Sequence, residues 1–431
     1  SQVSPGVVIR ERDLSTGVLV GVSGLRAGFA SSFRSGPVGK ITNIGSEREL
    51  INTFGAPAEA NAADWLVAAE YLRYGGSLAV VRAATGVLNA TLDGTAVLVG
   101  SKEDYDAGAG SSEKFVARTA GADGNNLHVV IVDKGPDYEI ISAGHGLSVG
   151  GTYTDDAAVG HEVVEVLGTG TFRIIQGTAA PTPAAGDTAT VFTNSMWNAT
   201  QIGTTGLTYK EIGPRPGTSA FASERYVSMD EVHVAVIDTS TNTVVERMTY
   251  LSKISDAKSP EGSSIYWKNY VNEYSNYIYA SALTSAEFTT LGSDPGAAVA
   301  SYGATAAAPI EISRILKTAG GALSGGIDDY AYTTGEISAA YTQFQDTEET
   351  SIDFVLMGGS MGSEADTLVK AGAVAAVANT RKDCIAFISP WNGNQIASSG
   401  NVALTPAQQL DNTIDFFSSI GSSSYVVKDS G

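Results

Sequence analysis

The sequence predicts a multidomain protein of mixed α/β and β structure, whose core α/β domain is built from both ends of the chain. At 431 residues the chain is too long for one hydrophobic core. Alternating strand and helix patterns lie near both ends, whereas the middle is rich in Gly, Thr and Ala with short strand-like pieces. The 49 glycines are spread without a period, which indicates many tight turns rather than a repeat structure.

The first 17 residues are predicted to form an arm. Val7, Val8 and Ile9 can form a strand, but Pro5-Gly6 and the charged run 10–13 separate them from any local partner. Such a segment satisfies its backbone most easily by adding to the edge of a sheet elsewhere, including a sheet on another subunit. Val7, Val8 and Ile9 are therefore the candidate inter-subunit strand.

Residues 18–84 read as a compact α/β block. Ser46 and Glu49 form a capping-box pattern, and Gly55 stands where a helix would end. From Asn61 an apolar face recurs at helical spacing. The predicted elements are strands at 17–22 and 27–30, helices at 46–55 and 61–74, and a buried strand at 78–82.

The middle of the chain is predicted to hold two nested insertions. The first is an α/β domain of residues 85–135 plus 227–346. The second is an outer, separable β-rich domain of residues 136–226, a small β barrel or sandwich without helices. Strands are predicted at 115–118, 127–132, 171–175, 188–192 and 231–237, and helices at about 266–278 and 310–317.

The block 347–431 repeats a strand and helix pattern. Thr405 and Pro406 supply a cap and a proline at the first helical position. A helical stripe of Ile337, Tyr341 and Phe344 leads into strands at 352–357, 384–388 and 425–427 and helices at 364–378 and 405–417. This order implies right-handed crossovers and a partly parallel sheet, shared with residues 18–84 in one discontinuous core domain.

The charge pattern bears on possible partners. The net charge is −20. The whole acidic excess follows residue 95, where the sequence has 38 acidic and 18 basic residues. An acidic surface repels phosphate backbones, so we expect no direct nucleic-acid binding. Cys384, the only cysteine, sits in an apolar run and fits a buried inert thiol in a reducing cytoplasm. Neither a secretory signal nor an apolar run of membrane-spanning length is found, and we expect no membrane insertion.

Residues 358–362 fit the G-x-S-x-G pattern of a hydrolase nucleophile elbow, with Ser360 as the candidate nucleophile. Those enzymes place the catalytic histidine after the serine in the chain. Here all four histidines precede Ser360: His128, His145, His161 and His233. The pattern therefore favours a glycine-rich turn in which Ser360 or Ser363 caps the next helix. The segment 36–41 lacks the spacing and the Ser/Thr of a phosphate loop.

Metal binding is not indicated. The histidines are separated by 17, 16 and 72 residues, without the close pairs of a zinc site. The carboxylate pairs Asp155-Asp156 and Asp328-Asp329 read as solvated turns, because adjacent strand residues point to opposite faces. Asp104-Tyr105-Asp106 offers too few oxygen ligands for calcium. We expect no cofactor and no metal.

Short motifs without chemistry follow one another along the chain. They are Ser4-Pro5-Gly6-Val7-Val8-Ile9-Arg10-Glu11, Gly36-Pro37, Asn52-Thr53-Phe54-Gly55, Tyr71-Leu72-Arg73-Tyr74-Gly75-Gly76 with Leu78-Ala79-Val80-Val81-Arg82, Gly124-Asn125-Asn126-Leu127, Gly320-Gly321-Ala322-Leu323-Ser324-Gly325-Gly326, and Arg381-Lys382-Asp383-Cys384-Ile385-Ala386. In this order they resemble the tail sheath proteins of contractile-tailed bacteriophages. The resemblance extends over essentially the whole chain.

The resemblance implies a structural subunit, not an enzyme, that surrounds a tail tube and shortens to drive the tube through the host envelope for genome delivery. The implied partners are other copies in a helical sheath, the tail tube protein, and baseplate and tail terminator proteins. The implied location is the virion tail, after assembly in the host cytoplasm. Family members usually continue beyond the strand at 425–427, so the resemblance also implies a truncated chain.

Two other functions remain open at this stage. One is the sheath subunit of a non-viral contractile injection system, such as a tailocin or a secretion apparatus. The other, less favoured, is a serine hydrolase that uses Ser360.

Overall fold

The computed structural model describes residues 25–83, 86–393, 397–398 and 402–429. It divides into two compact units. Unit 1 combines the two chain ends, residues 1–86 and 329–431, and unit 2 is the continuous stretch 87–328.

The elements, in chain order, are as follows. The helices are α1 (Glu47–Phe54), α2 (Ala62–Arg73), α3 (Lys102–Asp106), α4 (Asn194–Ala199), α5 (Ala220–Ser223), α6 (Trp267–Tyr274), α7 (Thr334–Thr342), α8 (Glu364–Arg381) and α9 (Pro406–Ser418). The strands are β1 (Arg26–Ser31), β2 (Thr42–Ile44), β3 (Ser77–Arg82), β4 (Phe115–Ala117), β5 (Leu127–Val132), β6 (Tyr138–Ile141), β7 (Thr152–Thr154), β8 (Gly160–Val166), β9 (Thr171–Ile175), β10 (Thr188–Val191), β11 (Val227–Ser228), β12 (Glu231–Asp238), β13 (Thr243–Ser252), β14 (Ile278–Ala280), β15 (Ile310–Glu311), β16 (Gly321–Ala322), β17 (Phe354–Leu356), β18 (Ile385–Ile388), β19 (Ala397–Ser398), β20 (Val402–Ala403) and β21 (Val426–Lys428).

Unit 1 is built on a six-stranded sheet in the order β2-β3-β1-β17-β18-β21. All neighbouring pairs are parallel except β2 and β3. Because β1 pairs with β17, strands from the two chain ends lie side by side. The partly parallel sheet predicted from the strand and helix order is present.

Two apolar clusters lie on the two faces of this sheet. On one face Phe54, Trp65 and Leu72 of α1 and α2 pack with Phe29 and Val80. The other cluster joins α7, α8 and α9 to the sheet through these residues: Ile337, Tyr341, Val374, Ala378, Phe416, Val355 and Ile388. Unit 1 is therefore a three-layer α/β/α arrangement.

Several local predictions for unit 1 are confirmed. Ser46 caps α1 by accepting a hydrogen bond from the Glu49 backbone N–H, and Gly55 follows the helix with φ +80°. The Glu49 carboxylate instead accepts from the Gly45 N–H at 2.8 Å, one residue earlier than in a capping box. Thr405 caps α9, with Pro406 in its first turn. These signals are local in sequence, which is why they could be read without the fold.

Unit 2 contains a four-stranded sheet in the order β13-β12-β5-β16. Both predicted central strands, 127–132 and 231–237, are present as β5 and β12, paired antiparallel. One face packs on α6 through Trp267 and Val271. The other face is covered by a second cluster that includes Trp197, Tyr209 and Ile212.

The outer part of unit 2 is a five-stranded antiparallel sheet in the order β10-β6-β9-β8-β7. Its core contains Ile140, Tyr153, Val163, Phe172 and Ile174. Among the described residues, the strand pairing runs from β10 at one edge of the sheet to β7 at the other, and no pairing joins these two edges. The barrel or sandwich therefore stays a prediction. The expectation that residues 136–226 lack helices is wrong, since α4 and α5 lie within them.

Three further expectations differ from the structure. The segment 310–317 is not a helix: β15 pairs with β11, and bridges join Ile312 to Ser293 and Ile315 to Phe288. The helix expected at 266–278 ends at Tyr274, after which β14 begins. Residues 329–346, expected in the inserted domain, belong to unit 1 because α7 packs on its sheet.

Candidate assembly surface and the Ser360 turn

The Ser360 turn connects β17 to α8. Gly358 has φ +74°, and a Cβ there would clash with the Asp64 carboxylate, so only glycine fits this position without strain. The Ser360 hydroxyl accepts a hydrogen bond from the Asn392 backbone N–H at 3.4 Å. The helix cap is Ser363, whose hydroxyl accepts from the Asp366 N–H at 3.1 Å.

The four histidines all lie in unit 2, whereas Ser360 lies in unit 1. His161 Nε2 lies 3.3 Å from Asp155, and its Nδ1 accepts from the Gly177 N–H at 3.0 Å. His233 Nε2 lies 2.7 Å from the Pro214 carbonyl, and its Nδ1 accepts from the Tyr250 N–H at 3.0 Å. Both buried rings have their nitrogens engaged in holding strands and loops together, as expected of structural histidines.

We predict that Ser360→Ala changes the free energy of unfolding by less than about 0.5 kcal/mol. The matched change Ser363→Ala removes the α8 cap and is expected to cost about 1 kcal/mol. Urea denaturation of both variants measures the difference. Stoichiometric labelling of the natural chain by a fluorophosphonate, lost in Ser360→Ala, would contradict the assignment of Ser360 to a turn.

Beside this turn lies a buried polar cluster that the sequence analysis missed. The Asp64 carboxylate on α2 accepts hydrogen bonds from the Ser31 hydroxyl, the Tyr332 hydroxyl and the Gly359 N–H. Lys370 on α8 has a fully buried side chain; its Nζ lies 3.6 Å from Asp64 and donates to Tyr332 Oη and the Gly359 carbonyl. The cluster ties both helix layers to the carboxyl ends of β1 and β17.

Burial perturbs the ionisable groups of this cluster. Desolvation lowers the pKa of Lys370, and the Asp64 charge partly opposes that shift. Burial also raises the pKa of Tyr332 and of Tyr341, and the negative charge of Asp64 adds to both shifts. The Tyr341 hydroxyl donates to the Leu356 carbonyl at 2.7 Å. The folded state therefore keeps both phenols neutral.

These tyrosines predict a loss of stability at alkaline pH. A phenol whose pKa is raised on folding contributes its full stability below the unfolded pKa of about 10 and loses it as pH rises further. Above pH 10, each tyrosine should lower the free energy of unfolding by about 1.4 kcal/mol per pH unit. We expect Tyr341→Phe to be less stable at pH 8 but to lose stability less steeply above pH 10, in urea midpoints measured across that range. Equal slopes for both proteins would contradict this assignment.

The Ser360 turn also borders an open crevice of about 360 Å³, lined by Ser32, Asn61, Asp64, Tyr332 and Ser360 among others. In the crevice the Asp64 carboxylate accepts hydrogen bonds from Tyr332 and Gly359, and the Asn61 side-chain amide donates to the Ser32 carbonyl. Within the described residues no group of His, Cys, Asp and Glu could hold a metal ion. Among all the residues that the structure describes, no helix combines the length and the apolar character that a bilayer span requires.

Surfaces suited to assembly are the exposed strands at sheet edges. Among the described residues, β21 ends the unit 1 sheet and pairs with β18 on one side only, and its Val427 is 42% exposed. Its outer side offers backbone groups to a further strand. The candidate arm strand Val7, Val8 and Ile9 lies outside the described residues. Cys384 is buried, and burial raises the pKa of its thiol, as for a structural cysteine.

Comparison with known proteins identifies relatives of this chain. A tail sheath protein of Salmonella phage ViI is 26% identical over 440 aligned positions, which cover 92% of this chain and 62% of that protein. This chain is similar to phage tail sheath proteins over most of its length. Tail sheath proteins of Vibrio phage KVP40 and Enterobacteria phage T4 are each 36% identical, over 91 and 81 residues. These cover 21% and 19% of this chain, and 13% and 12% of the relatives.

The chain thus spans less than two thirds of the length of the curated tail sheath relatives that it matches. No protein-family profile matches it. Two solved sheath tail proteins resemble it, both at 10% identity. The one from Listeria innocua has a TM-score of 0.39, covering 90% of this chain and 55% of that one. The one from Desulfitobacterium hafniense has a TM-score of 0.37, covering 94% and 60%.

Proposed function

We propose that this chain is a structural subunit of a contractile phage tail sheath rather than an enzyme. Copies of it would surround the tail tube in a helical array, and shortening of the array would drive the tube through the host envelope to deliver the genome. The observation that carries the proposal is the similarity to a phage tail sheath protein over 92% of the chain. The tail tube, baseplate and tail terminator proteins are the proposed partners.

The contacts around Ser360 support a structural role. The turn that carries the hydrolase pattern is occupied by packing and hydrogen bonds among Asp64, Tyr332, Gly359 and Lys370. In the proposed sheath, the arm strand Val7, Val8 and Ile9 adds to an exposed strand edge of a neighbouring copy, as extended segments add to sheets elsewhere. The outer sheet of unit 2 would face away from the tube.

Immunogold electron microscopy tests the proposal. Antibodies raised against the chain should label particles from the source along the length of the tail, outside the tube, in both extended and contracted tails. Labelling confined to the tail tip or the capsid, or none on intact particles, would overturn it. The same images address the alternative, a non-viral contractile injection system, because labelled tails would then carry no capsid.

A further inference from the structure

His233 lies opposite an irregularity in the pairing of β12 with β13. The register shifts between Val232 and Val234. Two residues of β13, Thr249 and Tyr250, therefore oppose His233 alone, which makes a β-bulge. Tyr250 has φ +57°, a conformation that favours glycine, and its backbone N–H donates to His233 Nδ1 at 3.0 Å. The ring of His233 thus supplies the partner that the strand ladder does not provide at the bulge.

The other ring nitrogen of His233 holds a loop against the same sheet. Nε2 donates to the Pro214 carbonyl at 2.7 Å. Because Nδ1 accepts from Tyr250, the proton of the neutral ring lies on Nε2. The side chain is fully buried. Both hydrogen bonds therefore require a neutral ring with one particular tautomer.

The loop 213–217 connects this ring to other parts of unit 2. The Gly213 carbonyl accepts from the Trp197 indole N–H at 3.0 Å. The Arg215 guanidinium donates to the Phe192 carbonyl at 2.9 Å, directly after β10 of the outer sheet. Freeing the loop would therefore loosen both the cluster that covers the four-stranded sheet and the base of the outer sheet.

No carboxylate of the described residues pairs with the His233 ring. The ionisable groups around it, from β5, β12, β13 and the loop 213–217, are Asp133, Arg215, Asp230, Glu231, Arg247, Tyr250 and Lys253. The charged ones bond to other partners, as Asp133 does to Lys253 at 2.8 Å and Glu231 to the Gly217 N–H at 2.9 Å. The Tyr250 ring packs edge-on at 4.8 Å. A charged His233 ring would thus be buried without a counter-charge.

We propose that His233 is a proton-sensitive pin of unit 2, which releases the bulge of β13 and the loop 213–217 when its ring is protonated. A proton on Nδ1 would point at the Tyr250 N–H, so the bond that satisfies the bulge would be lost. Burial lowers the pKa of His233, and the bond to the Pro214 carbonyl partly opposes that shift. A base whose pKa is lowered on folding contributes its full stability above its unfolded pKa of about 6.5 and loses it as pH falls below that value.

His161 offers a matched comparison within unit 2. It is also fully buried, and its Nδ1 also accepts from a backbone N–H, that of Gly177 at 3.0 Å. Its Nε2, however, lies 3.3 Å from the Asp155 carboxylate. A charged ring there gains an ion pair that offsets the lost hydrogen bond. The proposal therefore assigns the acid sensitivity to His233 and not to His161, and it does not depend on the proposed function.

Amide exchange read by mass spectrometry tests the proposal on the full chain. From about pH 7.5 to about pH 5.5, peptides covering 213–217 and Tyr250 should exchange severalfold faster after correction for the intrinsic rate. Peptides covering β3 of unit 1 should not change. In His233→Gln, which cannot be protonated, the acceleration should be absent, whereas the control His161→Gln should keep it. No acceleration in the natural chain, or the same acceleration in His233→Gln, would overturn the proposal.

Magnetic resonance of the natural chain with ¹³C-labelled histidine gives a second readout that needs no substitution. The His233 signal, identified by the contact of its ring with Tyr250, should report a neutral ring for as long as the Tyr250 amide is protected. The charged form should appear only together with the loss of that protection. A charged His233 beside a protected Tyr250 amide would overturn the proposal, because the bulge would then stay closed without its acceptor.

Discussion

Two deletions in the outer part of unit 2 are expected to have opposite outcomes. Replacing residues 139–190 by a short Gly/Ser bridge should leave a folded, soluble protein. Tyr138 and Val191 are directly paired across β6 and β10, so the cut ends lie about 5 Å apart. The excised sheet has its own core around Phe172. Excising this sheet removes contacts with the rest of unit 2, mainly the hydrogen bonds from Thr290 and Leu291 to Glu162 and the ion pair between Lys317 and Glu165.

Removing the whole segment 136–226, which the sequence pattern predicted to be separable, should instead collapse unit 2, because part of it packs on the four-stranded sheet. This larger deletion also removes Trp197, Tyr209 and Ile212, which cover Val130, Val132, Ala235 and Ile237 on the four-stranded sheet. Losing a single buried Trp typically costs about 3–5 kcal/mol, a large part of a domain's stability. We expect aggregation or strong binding of the dye ANS for this variant and a cooperative melt for the smaller deletion. Two equally folded products would show that Trp197 and its neighbours are dispensable.

The second large effect is expected from the ion pair between Asp64 and Lys370. Asp64→Asn should lower the free energy of unfolding by about 3–5 kcal/mol, because it leaves a buried lysine without its counter-charge. An amide also presents a donor to groups that all donate to Asp64, namely Ser31, Tyr332 and the Gly359 N–H. Urea denaturation of unit 1, followed through Trp65 or Trp391 fluorescence, measures the loss.

The double variant Asp64→Asn with Lys370→Met is the matched control. It removes both charges, and we expect it to be more stable than Asp64→Asn alone, because no unpaired charge stays buried. The exposed pair Arg73 and Glu70 on α2 offers a second control, where Glu70→Gln should change stability by less than about 1 kcal/mol. Purely additive effects of Asp64→Asn and Lys370→Met would mean that the two side chains do not interact.

Much of the secondary structure could be predicted because its signals are local. Caps such as Ser46 and Thr405 bind backbone groups three residues away, so their partners are visible in the sequence itself. Apolar runs such as 127–132 form strands whose bounds match the prediction. The pairing of the chain ends followed from the strand and helix order at both ends, and the structure has it as β1 beside β17.

The buried polar cluster beside the Ser360 turn depends on contacts that no local sequence pattern encodes. Asp64 and Lys370 are 306 positions apart, and each looks like an ordinary charged residue on a helix. Only a hint was present: each interrupts the buried face of its helix, Asp64 beside Trp65 and Lys370 beside Ala371. The fold alone brings them together at the ends of β1 and β17.

The sequence by itself determined the approximate bounds of elements such as α1, β5 and α9, because caps, turns and periodicity act within a few residues. Tertiary structure decided the rest. The segment 310–317 has apolar spacing compatible with a helix, yet its backbone pairs with β11, Ser293 and Phe288, all more than a helical turn away in the chain. Pairing with distant strands outweighed its weak helical preference, since propensity contributes only a few tenths of a kcal/mol per residue.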